Sequence, residues 1–383
     1  MSLVSRRGQD ISPFLAMEVM EEAEKLRRQG ADIVHFEVGE PDFDTPACVK
    51  EAAAKALRDG HTHYTHSMGL LELREAICED SWRRYRVVVT PDRVLVTGGT
   101  SPALFMVYAA LLRPGDEVVL ANPYYACYPN YIRFADGEPV YVPVCEDDGY
   151  QLRPEAIQAR LSPRTRAIMV NSPANPTGVV LDAARLAAIA NLGHFVVSDE
   201  IYHGLVYEGT AHSILEYTDH ACVLNGFSKL YAMTGWRLGY VIAPPELIRA
   251  LQKMHQNFFI SANAFVQWAG VAALREAQDD VARMCAEYDR RRQAMLEGLR
   301  ALGLGVARPP TGAFYVLANA RHLSGDSLHL AFDILQRAKV AVTPGIDFGS
   351  NAEGYLRFSY TTKVENIAEG VARLSRYLVE RAG

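Results

Sequence analysis

The segment Asn225-Gly226-Phe227-Ser228-Lys229-Leu230-Tyr231-Ala232-Met233-Thr234-Gly235-Trp236-Arg237-Leu238-Gly239-Tyr240 sets a single lysine at the end of one apolar run and an arginine at the start of the next. Lysines are rarely buried, and the ordinary place for Lys229 would be the surface. Its surroundings argue otherwise. Small and hydroxyl residues precede the lysine, and Arg237 follows eight positions later, so two cations can meet at one anionic group. A phosphate-bearing aldehyde would use both. The phosphate answers the charges, and a lysine held in a partly dry site gives up its proton readily enough to attack a carbonyl carbon.

The runs flanking this segment belong to a longer rhythm. Between residues 93 and 243, short apolar stretches alternate with helical patterns, which predicts βα units around a mostly parallel sheet. Seven strands are expected, at 93–97, 117–121, 140–144, 167–170, 195–198, 222–225 and 238–243, buried on both faces. A helix over 102–112 would start from Ser101 with Pro102 in the first helical position, and one over 182–191 from Asp182. From about residue 280 the pattern becomes α+β: a long charged helix to 301, short strands at 313–317 and 355–359, and a last helix from 364. A helix over 15–29 is expected to join this part, because neither piece alone buries its apolar face. The fold class expected is α/β. A large domain (46–280) carries a mostly parallel seven-stranded sheet flanked by helices, and a smaller α+β domain combines 1–45 with 281–383. A chain of 383 residues exceeds the size at which one core stops growing.

Composition narrows the function. The net charge is −6 with both signs mixed along the chain, which leaves no basic footprint for nucleic acid or an anionic membrane and points to a small-molecule substrate. Six cysteines without a C-x-x-C pair read as reduced thiols rather than a zinc ribbon or a disulfide framework. No apolar run follows the basic N-terminus and none is long enough to span a bilayer, so the expected location is the cytoplasm. His61, His63 and His66 are spaced like a metal cluster but lack an acidic or thiol companion, and no metal is expected.

Five further segments carry residue types suited to the same chemistry. Val197-Ser198-Asp199-Glu200-Ile201-Tyr202 places an acid just past the carboxyl end of a strand, where open α/β sheets bind their ligands; a loop or cap acid is the plainer use. Asn171-Ser172-Pro173-Ala174-Asn175-Pro176-Thr177-Gly178 must be a loop, since two prolines and a glycine cannot continue the strand, and a turn alone needs no second asparagine. Thr97-Gly98-Gly99-Thr100-Ser101 leads from a strand into a helix, so its N–H groups and hydroxyls can hold a phosphate. It lacks the G-x-G-x-x-G pattern, and alone it would be a tight turn. Gly354-Tyr355-Leu356-Arg357-Phe358-Ser359-Tyr360 sets an arginine in a strand, where a structural acid or a ligand must satisfy it. Its fork suits a carboxylate. The aromatics of Asn122-Pro123-Tyr124-Tyr125-Ala126-Cys127-Tyr128-Pro129 would otherwise be core.

Together these segments closely resemble the class I and II aminotransferases, fold-type I enzymes that use pyridoxal phosphate (PLP), and the resemblance covers nearly the whole chain. It implies PLP joined through a Schiff base to Lys229, and an amino group moved from an L-amino acid to a 2-oxo acid by way of pyridoxamine phosphate. By resemblance Asp199 pairs with the pyridine nitrogen, and Tyr202 and Asn175 bond the ring's 3-oxygen; Lys229, Asp199 and Tyr202 form the catalytic group. Gly99, Thr100, Ser101, Ser228 and Arg237 are assigned to the cofactor with its phosphate, Tyr64 reaching it from the neighbouring subunit of a homodimer. Tyr125, chosen over Tyr124, stacks on the ring. Arg357, Asn175 and Gly39 meet the substrate. The loop at 171–178 is similar to the family's N-P-x-N-P-T-G and departs from it at Ser172.

Fold does not settle the reaction. Another PLP reaction on the same scaffold, such as C–S β-elimination, decarboxylation or synthase chemistry, is the alternative. A PLP-sensing regulator would need a DNA-binding segment, and the chain reaches Gly39 too early to hold one; a nicotinamide dehydrogenase lacks its fingerprint. The helix after the glycine turn, at 103–110, has no cation to greet a second carboxylate, and Phe14 is expected near the pocket mouth. Neutral or aromatic amino donors are therefore expected ahead of aspartate.

Overall fold

The computed structural model describes residues 3–382. Apolar side chains along its central strands alternate between two cores. Val94 and Val96 enter one while Leu95 enters the other, and the same division separates Val119 from Val118 and Leu120, and Ile168 and Val170 from Ala167 and Met169. Strands of this kind need cover on both faces. Helices Thr100–Leu111 and Pro245–Phe258 supply it on one side, and Leu71–Tyr85 and Ala264–Glu276 on the other.

The strands are β1 (Val94–Thr97), β2 (Glu117–Asn122), β3 (Glu138–Pro143), β4 (Thr165–Asn171), β5 (Phe195–Asp199), β6 (Ala221–Gly226) and β7 (Gly239–Ile242). They form one sheet in the order β1-β7-β6-β5-β4-β2-β3. Only β7 runs antiparallel to its neighbours. Each of the seven expected strands overlaps one of these, with two corrections to the reading of this region. Strand β3 is not buried on both faces: it pairs with β2 alone and only Val142 along it is fully buried, because helix Tyr128–Phe134 packs on it whereas helices Leu71–Tyr85, Thr100–Leu111 and Pro245–Phe258 cover the other edge strand, β1. The helix expected from Ser101 instead begins at Thr100, with Gly99 as its N-cap at φ +107° and no side-chain cap. Glycine reaches that angle without a Cβ clash. The turn is therefore tighter than a serine cap would allow, and Pro102 falls at the third helical position. Asp182 caps Ala183–Ala190 as expected, accepting from the Arg185 N–H.

A second sheet, antiparallel, holds β8 (Tyr315–Asn319), β9 (Thr343–Pro344) and β10 (Tyr355–Ser359) in the order β9-β10-β8. Val34–His35 pairs in parallel with Val340–Ala341. Helix Leu15–Arg28 lays Val19, Ala23 and Leu26 against Leu335 and Ala341, and the long helix Gln278–Ala301 packs on the last one, Val364–Ala382. Among the described residues no helix is long and apolar enough to cross a membrane.

The sheet's geometry reaches the glycine turn through Gly239. A Cβ there would stand 2.7 Å from the Gly99 carbonyl carbon and 2.8 Å from the Thr100 nitrogen. These are backbone atoms and cannot swing aside. Gly239→Ala is expected to cost about 1–3 kcal/mol of unfolding free energy through this overpacking, read from the urea midpoint; an unchanged midpoint would contradict the close approach.

Candidate active site

Strand polarity brings the carboxyl ends of β1, β2, β4, β5 and β6 to one edge of the sheet, where ligands of open α/β folds collect. A cavity of about 240 Å³ lies there. Thr100 and Ser101 follow β1, Tyr125 follows β2, Asn171 ends β4 with Asn175 just beyond, Asp199 ends β5 and Lys229 follows β6; all line the cavity. Gly39, Tyr315 and Arg357 enter from the segments around the second sheet, and Phe14, Ala16 and Met17 from the N-terminal segment.

Burial sets the protonation of the two groups nearest the sheet. The Lys229 amine donates to the Gly39 carbonyl at 2.8 Å, and its pKa is lowered to about 8 because the surrounding protein disfavours the ammonium, an effect reinforced by Arg357 and Arg237 against the pull of Glu40 and Asp199. Asp199 moves the other way, up to about 6, again through burial, and the Tyr128 hydroxyl and Ile201 N–H hold it from rising further. Those two donors stand 2.7 Å from Oδ2 and 3.1 Å from Oδ1. Each carboxylate oxygen has a lone pair to spare.

Arg357 is only 2 % exposed. Its Nη1 donates to Asn175 Oδ1 at 3.0 Å, and its Nη2 to Thr343 Oγ1 at 3.1 Å and to the Glu37 carbonyl. The guanidinium lies over the rings of Tyr315 and Phe348, 4.4 and 4.7 Å from their centroids. Nε remains buried without a hydrogen-bond partner. Arg237 adopts φ +54°, a left-handed conformation that a non-glycine residue holds only at a cost. Its side chain rests on the glycine turn: a Cβ on Gly99 would lie 2.6 Å from the guanidinium. Above it, the first helical turn has no side-chain cap.

The aromatic residues divide. Tyr125 faces the cavity with its ring edge-on to Phe14 and Tyr128, whereas Tyr124 stacks on Tyr141 of β3. The Tyr202 hydroxyl meets the Tyr315 hydroxyl at 2.9 Å. Ser228, Gly99 and Arg237 lie beside the lining rather than in it. Tyr64 stands outside the cavity and is 81 % exposed. Of the three clustered histidines, His61 packs on Trp268 and the His66 Nδ1 accepts from the Met68 N–H.

Three site residues escaped the sequence reading. Tyr128 holds Asp199, Tyr315 holds Tyr202, and Asn171 ties two loops together by donating to the Asp199 carbonyl and accepting from the Asn175 N–H. A signal existed for Tyr128, an aromatic in the same segment as Tyr125 at the first position of helix Tyr128–Phe134, whose hydroxyl must find a partner once its ring is buried.

The family model for aminotransferase class I and II matches residues 31–374. The aspartate/prephenate aminotransferase of Thermus thermophilus is 43% identical over 98% of both chains. The (5-formylfuran-3-yl)methyl phosphate transaminase of Methanocaldococcus jannaschii is 40% identical over 98% of this chain and 100% of that protein. Among solved structures, the Thermus thermophilus aspartate aminotransferase with maleate superposes at a TM-score of 0.95, with 42% identity over 98% of this chain and 100% of that one. The chain belongs to the class I and II aminotransferases. It is a transaminase, moving an amino group from an amino acid to a 2-oxo acid.

The raised pKa of Asp199 has a consequence for stability. Its contribution to the cofactor-free fold is fully present below the usual carboxylate pKa and is lost as pH rises through about 6. In Asp199→Asn the amide oxygen can keep the Ile201 N–H while the NH₂ donates to the Tyr128 hydroxyl. The variant without cofactor is expected to exceed wild type by about 1–3 kcal/mol at pH 8 and to match it near pH 4, by urea denaturation. A variant less stable at pH 8 would contradict the charge burial.

Proposed function

We propose that this chain carries out amino transfer at the cavity edge of its sheet, with PLP held there and Lys229 as the residue that joins it and moves the proton. The residues fit PLP on observations of the site itself. An amine with its pKa lowered to about 8 lies within the same cavity as a buried carboxylate, and an arginine is pressed against an uncapped helix start at Gly99. When bound, PLP supplies an aldehyde carbon that an amine can attack and a ring that takes up the charge left when a Cα proton departs.

In this reading Arg237, with the N–H groups and hydroxyls of Thr100 and Ser101 beyond Gly99, neutralises the phosphate, and Ser228 adds a hydroxyl beside Lys229. Asp199, fixed by Tyr128 and Ile201, keeps a proton on the ring nitrogen. Tyr202 and Asn175, both lining the cavity, would donate to the ring's 3-oxygen, and Tyr125 would pack against the ring. Arg357 takes the substrate carboxylate with Asn175 and Gly39 beside it. With Nη2 already bonded twice, the unpartnered Nε and the second hydrogen of Nη1 are the donors open to that carboxylate. Lys229 would be the group that takes the proton from Cα and hands it on, a task suited to an amine whose pKa is lowered to about 8.

Tyr64, exposed on the single chain, is proposed to complete the phosphate site of a second copy, making the working form a homodimer. We further propose that 46–280 acts as one domain and 1–45 with 281–383 as another. The cavity then lies between Lys229 and Asp199 on the first and Gly39 and Arg357 on the second.

The observation that carries the reading is Lys229 held beside Asp199 and Arg357 in one cavity. Purified protein loaded with PLP and given one amino acid without an oxo acid should release the matching 2-oxo acid in an amount equal to the cofactor. Release of ammonia with pyruvate, or of carbon dioxide, would instead favour the lyase or decarboxylase alternative. Lys229→Ala is expected to lose turnover by at least about 10³-fold while still binding PLP in equilibrium dialysis; full activity would remove the assignment. In the cofactor-free wild type, the rate of PLP capture should rise with pH through about 8 as the Lys229 amine becomes free, followed by stopped-flow absorbance. A rate independent of pH between 6 and 9 would contradict a titrating lysine.

A further inference from the structure

Beyond Lys229 and Arg357, the two cations already given roles, no described residue of this chain that lines the cavity carries a positive charge. The N-terminal segment contributes Phe14, Ala16 and Met17, and the helix after the glycine turn contributes Leu104. The ring of Phe14 stands edge-on to Tyr125, centroids 5.9 Å apart at 89°, so the two aromatics form one continuous apolar corner.

One feature of this wall would ordinarily attract an anion. Helix Leu15–Arg28 starts at the cavity, and the first N–H groups of a helix seek negative charge. They are already taken. The Leu15 N–H donates to Asp347 Oδ1 at 2.9 Å and the Ala16 N–H to Asp347 Oδ2 at 3.1 Å. The protein's own carboxylate thus occupies the N–H groups by which this helix start would otherwise draw an anion. A second acid, Glu37, is 1 % exposed and lines the same cavity, and its Oε2 has no hydrogen-bond partner. Its Oε1 is engaged by His35 Nδ1 at 2.8 Å. A dicarboxylic donor would therefore bring a desolvated charge to a wall where Glu37 is already present and no described lining residue of this chain other than Lys229 and Arg357 carries positive charge.

We propose that the amino donor is a monocarboxylic L-amino acid with an apolar or aromatic side chain, packed against Phe14, Met17 and Leu104 while Arg357 holds its carboxylate. This rests on the amino-transfer reading of the site. The shape of the corner gives the preference its direction. An aromatic side chain gains the ring of Phe14, a branched aliphatic one gains Leu104 and Met17, and a carboxylate gains neither.

The test is a donor screen on the PLP-loaded protein, following 2-oxo acid release from single amino acids, together with calorimetric binding of two unreactive acids. Phenylalanine, tyrosine, leucine or methionine is expected to lead. Aspartate, the donor in the name of the Thermus thermophilus relative, is expected to trail by more than about 100-fold in kcat/KM. In calorimetry 3-phenylpropanoate should bind more tightly than maleate. Met17 is partly exposed at the start of its helix, so Met17→Arg can supply the missing cation without disturbing the core. That change should raise the aspartate-to-phenylalanine ratio by about 10-fold or more. Aspartate or glutamate ahead of all apolar donors, or maleate binding more tightly, would overturn the donor inference and leave amino transfer standing. If no amino acid yields its oxo acid, the amino-transfer reading itself fails and the donor inference falls with it.

Discussion

A guanidinium buried to the extent of Arg357 must find oxygen atoms or unfold its surroundings, and the oxygens it finds come from three separate parts of the chain. Glu37 belongs to the segment that pairs with Val340–Ala341, Thr343 to the second sheet, and Asn175 to the loop that ends β4 of the first sheet. One side chain therefore fixes the spacing between the two sheets at the place where the cavity opens. The satisfaction is incomplete, since Nε has no partner. A structural arginine would be expected to use all its donors. An arginine that spans three segments and still has a buried donor unused is suited to receiving a ligand.

The same economy runs through the rest of the site. Burial pushes the lysine down to about 8 and the aspartate up to about 6, so each is held close to giving up the charge it would carry in water. Neither shift favours folding. Each persists because the sheet around it is over-determined, with cores on both faces and backbone contacts as close as those between Gly239 and the glycine turn. The conformation of Arg237 is a further cost of this kind, accepted where it sets a cation against Gly99.

Much of this was legible in the residues. Two-sided burial wrote the strands of the large sheet as short apolar runs, and the charged and polar residues between those runs marked the ends where the cavity forms. What periodicity does not carry is partnership. The edge position of β3 depends on which strands lie beside it, and nothing local distinguishes its apolar run from a central one. Gly99 rather than Ser101 starts its helix because the turn must pass under Arg237 and over Gly239, a tertiary demand. Tyr128 and Tyr315 were missed for a related reason: their hydroxyls act by holding Asp199 and Tyr202, and a tyrosine in an apolar run looks the same whether or not its hydroxyl has that duty. The capping of Leu15 and Ala16 by Asp347 joins positions 332 and 331 residues apart, beyond any sequence window.

Lys229 is the proposed point of covalent attachment, and every other assigned role is defined relative to it. Borohydride reduction of the PLP-loaded protein, followed by proteolysis and mass spectrometry of the peptides, tests this directly. The phosphopyridoxyl mass should appear on the peptide containing Lys229 and on no other lysine. A tag on a different lysine, or protein that binds PLP yet takes up none of the label, would contradict the account.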